Sequence, residues 1–181
     1  MDVRRLKHNV QKMKIEYYTN EFQTNSKLFE SLFSSVDEIQ QTWKQTPVKW
    51  NLLEILCHLY DEEREDFRTR LKSVLDNPEN TFPSIDPPGW VITRNYAQQS
   101  FKKMLQQFSQ ERKNSIEWLQ SLQNVNWDNA HQYPKIGPMS ARYILANWLA
   151  HDYLHIKQIF KLKYDYLKHT SNQNLSYAGD W

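Results

Sequence analysis

An all-α four-helix bundle is the fold that this chain of 181 residues predicts. Three observations lead there. Only three glycines stand against seven prolines, and abundant Leu, Gln, Lys and Glu with few β-branched runs favour helices over strands. Four stretches of roughly 22 to 30 residues carry helical periodicity, as a bundle requires. A Pro-rich connection is long enough for a crossover between them. No internal repeat or low-complexity linker divides the chain, and its length suits one domain over residues 1–181 with a core able to stand unaided.

The first helix is expected from about Glu16 to about Thr42, with Phe22, Leu28, Phe29, Leu32, Phe33, Val36 and Ile39 at mostly three- and four-residue steps. Pro47 breaks the pattern. Asn51 and Glu54 then stand as N-cap and N3 of a capping box that launches a second helix from Leu52 to about Leu75, closed by Asp76-Asn77-Pro78. Between Asn80 and Gly89 the prolines at 83, 87 and 88 predict a long irregular connection over the surface or along a cleft. The third helix, about Thr93 to Leu122, repeats Ala97, Phe101, Met104, Phe108, Ser115, Leu119 and Leu122 on one face. A loop with Trp127, Tyr133, Pro134 and Gly137-Pro138 follows, and Ser140 is placed to cap the fourth helix.

A net charge of +2, with basic and acidic residues interspersed, gives no field that would attract a polyanion, so a nucleic-acid role has little support. No segment approaches the roughly 20 apolar residues of a membrane span, and Met1-Asp-Val-Arg-Arg-Leu-Lys7 carries no apolar signal core. The lone Cys57 excludes an internal disulfide and fits a reducing cytoplasm, where it reads as a small buried hydrophobe.

The chemistry-bearing signal lies in the fourth helix, at Trp148-Leu-Ala-His151-Asp-Tyr-Leu-His155-Ile-Lys-Gln158. Residues four apart stack on one helical face. At 100° per residue Ile144, Trp148, His151, His155, Ile159 and Leu162 fall within an arc of about 80°, which puts both imidazoles mid-stripe in an apolar seam. A buried ring nitrogen there needs a hydrogen-bond partner or a metal. The natural third ligand is His58, early in the second helix, although the wheel sets it at the edge of that helix's apolar face beside Glu54, Asp61 and Glu65. Three histidines from two helices form the ligand set of catalytic rather than closed structural zinc sites, and equally suit nickel, iron or cobalt.

The run Trp50-Asn51-Leu-Leu-Glu-Ile-Leu-Cys-His58-Leu-Tyr-Asp61-Glu62-Glu63, followed late by His151-x-x-x-His155 and Gln158, resembles the DinB-like (damage-inducible B-type) four-helix-bundle superfamily over most of the chain. That resemblance implies an up-up-down-down bundle, commonly a homodimer, holding zinc, nickel or another divalent metal through His58, His151 and His155. Characterised relatives include bacillithiol transferases and mycothiol-dependent isomerases, which implies a low-molecular-weight thiol as a cosubstrate.

Function is expected to follow from that site. Three-histidine metal centres can hold a thiol as thiolate or lower the pKa of bound water, and either nucleophile could attack an electrophilic small molecule. The expected activity is thiol transfer or hydrolysis, with Trp90 and Tyr96 as apolar walls of the docking space. Asp61 and Glu62, about one turn beyond His58, could orient an imidazole or shuttle a proton, Glu62 lying nearer the apolar face. Against this, Asp61, Glu62, Glu63, Glu65 and Asp66 also read as a solvated face paired with Arg64, Arg68 and Arg70. Trp43, Trp50, Trp118, Trp127 and Trp148 read as packing anchors, and no role falls to His8, His131 or His169. The alternative to an enzyme is a non-catalytic bundle stabilised by its metal, with a binding or stress-related role.

Overall fold

Helix α1, Ile15–Ser34, turns Phe22, Asn25, Phe29, Leu32 and Phe33 inward. It is the first element that the computed structural model describes, over residues 15–181 except Pro83, Lys135 and Asp180; His8 lies outside that range. The expected continuation to Thr42 is interrupted. Asp37 leaves the helical path and its carboxylate accepts from Gln40 N at 2.8 Å, so residues Glu38–Thr42 form a separate short helix, α2.

Helix α3, Leu52–Asp61, starts at the expected capping box: Asn51 Oδ1 accepts from Glu54 N at 2.8 Å and Glu54 Oε2 accepts from Asn51 N at 3.0 Å. The second long helix is not uniform. Glu62–Phe67 is π-helical before Arg68–Asp76 resumes as α4. A π segment amounts to one extra residue in the helix, about 100° of rotation, so a straight wheel cannot place both halves. His58, expected at the edge of the apolar face, is 6% exposed, and Asp61, Glu62 and Glu63, read as solvated, are buried too.

The long connection carries its own order. Asp86 caps α5, Pro87–Thr93, which opens on two prolines whose missing N–H groups cost nothing in a first turn. A side chain at Gly89 would stand 2.0 Å from Asp86 Oδ2, so the cap requires glycine there. Asn95, left-handed at φ 56°, turns the chain into a 3₁₀ turn, Tyr96–Gln98. The third long helix, α6, therefore begins at Phe101 behind the Ser100 cap, not near Thr93, and ends at Ser121.

Between the last two long helices lies a hairpin, β1 (Ala130–Tyr133) against β2 (Gly137–Ser140), antiparallel with Ala130 opposite Ser140. Ser140 then caps α7, Ala141–Ser171, its hydroxyl accepting from Tyr143 N at 3.1 Å, and Asn172 closes the helix at φ 51°. A final 3₁₀ turn covers Ser176–Ala178.

Two apolar halves make up the core. Phe29, Phe33, Leu52, Leu56, Phe108 and Ile159 belong to one, and Phe22, Leu71, Val74, Ile116, Leu145 and Trp148 to the other. α1 runs from the second half into the first, α3–α4 and α6 run back, and α7 returns. The all-α bundle with long connections is as expected, but its directions along the chain are up, down, down, up. The like-directed neighbours are thus the second and third long helices, because the short link through α2 reverses the chain while the link through α5 carries it back to the starting end. Asn25, Glu63, Arg112 and Asp152 lie between the halves as a polar stratum, all buried.

Candidate metal centre

His58 is carried into the core by α3, whose residues from Leu52 to Leu59 are buried all round. Across from it α7 presents His151 and His155. His58 Nε2 lies 3.3 Å from His151 Nε2, and His155 Nε2 lies 3.0 Å from the same atom. The three nitrogens all fall within 4.8 Å of one another. With zinc–nitrogen bonds of about 2.0–2.1 Å, adjacent tetrahedral ligands stand about 3.3–3.4 Å apart, so two of these spacings are close to what one shared ion imposes.

Protons alone do not satisfy this arrangement. His155 Nδ1 is 2.8 Å from Gln158 Oε1. An amide oxygen accepts, so that nitrogen carries the ring proton and Nε2 presents a lone pair. A single proton on His151 Nε2 could serve only one of its two neighbours. A cation among the three serves all of them, and the donor set therefore fits a divalent ion. Among the described residues His58, His151 and His155 stand as a group without a fourth ligand from Cys, Asp or Glu.

The rings are poised to act as neutral ligands. Burial first, and the charge of His155 second, bring His58 down to about 3. Burial, followed by the charges of His155, His58 and Arg112, brings His151 down to about 2, and burial also lowers His155. Trp50 packs on His58 with ring centres 4.8 Å apart, and Phe67 packs on His151 at 5.0 Å.

The two carboxylates expected beside the site part company. Glu62 Oε1 is 4.0 Å from His58 Nδ1, beyond hydrogen-bond distance, and neither atom has a hydrogen-bond partner. Burial, then the neighbouring charge of Asp66, pushes Glu62 up to about 8. Asp61 instead accepts from Tyr96 Oη at 2.7 Å and pairs with Arg64 at 3.1 Å and Arg94 at 2.8 Å. Trp90 and Tyr96, expected as walls of an opening, are buried in the core at 7% and 2% exposure. Cys57 is fully buried, and burial pushes its thiol up to about 12, so it is no nucleophile at neutral pH.

The polar stratum beneath the histidines did not stand out in the sequence. Arg112 is 1% exposed, forks onto Asp152 and reaches Glu63 Oε2 at 2.9 Å. Asn25 Nδ2 donates to Asp152 at 3.1 Å and Trp148 Nε1 donates to Glu63 at 3.0 Å. All four long helices meet in this network. One signal was available: the α6 stripe steps from Phe108 to Ser115, and Arg112 occupies the gap.

A family model described as the DinB superfamily matches residues 21–159. No curated protein matches the chain. Among solved structures, the chain is similar to YfiT from Bacillus subtilis, described as "a probable metal-dependent hydrolase with an unusual four-helix bundle topology". The TM-score is 0.75 at 12% identity, covering 92% of each chain.

Proposed function

The chain belongs to the DinB superfamily, and from that premise we propose that it is a metal-dependent enzyme acting on an electrophilic small molecule by hydrolysis or by transfer of a low-molecular-weight thiol. His58, His151 and His155 would hold a divalent ion, zinc or nickel before iron or cobalt. The observation that carries this reading is the convergence of three imidazole nitrogens, from the buried His58 and the half-buried His151 and His155, with no fourth ligand among the described residues. Three protein ligands is the count of catalytic zinc sites, whereas structural sites close with four. When bound, the ion supplies Lewis acidity that brings the pKa of a coordinated water or thiol toward neutrality.

The chain's own groups serve the rest of the chemistry. Gln158 keeps the proton of His155 on Nδ1 and its lone pair on Nε2. Glu62 faces the second nitrogen of His58, and its elevated pKa lets it hold or release a proton near neutral pH. Asp61 supports from a distance by fixing Tyr96 and Arg94 beside α3. A homodimer in the cytoplasm, implied by the family resemblance and the lone cysteine, completes the proposal.

Elemental analysis of the purified protein beside His151→Ala/His155→Ala, with helicity checked in both, tests the site. Near-stoichiometric metal in the parent, lost in a folded variant, is the expected result. A parent that holds no metal and takes up neither zinc nor nickel overturns it. Turnover of activated esters and alkyl halides by the loaded protein, with and without added thiol, then separates hydrolysis from transfer.

A further inference from the structure

We propose that the substrate of this centre is a small oxyanion-bearing molecule, a carboxylate or a phosphate ester, whose charge is received by Lys49 and Lys157. The proposal rests on the reading of the three histidines as the reactive centre. A cleft of about 420 Å³ opens at the end of the bundle where α3 begins, and Lys49, Trp50, Lys157, Gln158, Lys161 and Trp181 line it. Two of these residues connect it to the histidines. Trp50 packs on His58, and Gln158 holds His155 at 2.8 Å. A molecule seated in the cleft is therefore one side chain away from the candidate metal ligands.

Charge sets what the cleft prefers. Lys161 is paired with Asp165, which also borders the opening. Lys49 and Lys157 are exposed and have no ion-pair partner among the described residues. Two positive charges without a carboxylate partner thus border a concave space whose remaining wall combines the indoles of Trp50 and Trp181 and aliphatic surface with Gln45, Gln158 and the Lys161–Asp165 pair. The tryptophan walls favour a planar or apolar body behind the anionic group. Trp181 is itself held in place, stacked on Tyr164 with ring centres 5.4 Å apart and planes 28° from parallel. The volume suits a metabolite-sized ligand. Another opening, bordered by Lys27, Lys113 and Glu117, has Lys113 paired with Glu117 and lacks the link to the candidate ligands, since no neighbour of a histidine lines it.

Titration calorimetry on the zinc-loaded protein tests this with phenyl phosphate, benzoate and neutral benzyl alcohol. At least one anion should bind about fivefold or more tighter than the alcohol, and the better of the two identifies the oxyanion. Lys49→Gln/Lys157→Gln should weaken that anion about five- to tenfold, the sum of two exposed charge contacts, while leaving zinc content, helicity and alcohol binding unchanged. Equal affinity for anion and alcohol, absence of anion binding, or an unchanged affinity in the lysine variant would overturn the proposal. The His151→Ala/His155→Ala protein separates the two readings. Lysine-dependent anion binding by a parent that proves unable to hold metal would retain the anion site and sink the metal centre. Anion binding that needs the metal but not the lysines would sink the anion site alone.

Discussion

Arg112 holds Asp152 with both terminal nitrogens, Nη1 to Oδ2 at 2.5 Å and Nη2 to Oδ1 at 2.7 Å, and Asp152 is the residue beside His151 in the chain. The fork ties α6 to the turn of α7 that faces His58. Burying a charge is costly unless it is paired and hydrogen-bonded, and here Asn25, Glu63 and Trp148 supply the additional contacts.

Breaking this network on one side should be severe. Arg112→Met leaves Asp152 and Glu63 buried without their cation, and the expected loss is about 3–5 kcal/mol. Urea denaturation of the metal-free protein measures it. A loss below about 1 kcal/mol would mean that the network contributes little to stability.

Gln158 should govern metal affinity without contributing to the fold. Removing a partner that orients a liganding histidine typically costs about 10- to 100-fold in affinity. Gln158→Ala is expected to fall in that range in a chelator competition with helicity unchanged, and Gln158→Glu, which keeps an acceptor on His155 Nδ1, should stay near the parent. An unaffected alanine variant would remove Gln158 from the site.

Stability of the metal-free protein should respond to pH in two opposite ways. Folding brings His58 from 6.5 down to about 3 and His151 from 6.5 to about 2, so the unfolded chain takes up protons first and their contribution is lost as pH falls below 6.5. Glu62 is raised from 4.5 to about 8, so its contribution is full below 4.5 and lost as pH rises toward 8; Glu63 and Asp66 shift the same way. Denaturation between pH 5 and 8.5 should therefore show Glu62→Gln with a shallower alkaline decline and His151→Ala with a shallower acid decline. Parallel curves for parent and both variants would contradict these assignments.

The capping box at Asn51 carries the start of the helix that delivers His58. Asn51 also donates to Thr42 O at 3.2 Å, which joins α2 to α3. Asn51→Ala should cost about 1–2 kcal/mol, read as a lower thermal midpoint. Asn51→Asp retains the acceptor and should recover most of it.

The sequence made the helices, the Asn51 and Ser140 caps and the three histidines legible because each depends on local spacing. Asp37 was harder to read as a break, since apolar residues continue through Val36 and Ile39 and the cap is a single side-chain contact. Glu62 and Glu63 read as solvated because a uniform 100° step cannot register the π segment that begins at Glu62. Tyr96 read as a cleft wall because its burial depends on the turn at Asn95, where a left-handed residue sends the chain inward. The partnership of Arg112 with Asp152 joins residues 40 apart, and periodicity carries no information about which helix faces which.

The polar stratum also fixes where α7 can sit. A helix of 31 residues is about 46 Å long, and aliphatic contacts along such a rod are nearly as good after a slide of one turn, about 5.4 Å. That slide would take Asp152 off Arg112, Trp148 off Glu63 and His151 away from His58 in one movement. The charged layer works as a key in a slot: it admits one axial setting of α7, and the setting that closes the ion pairs is the one that gathers the three imidazoles.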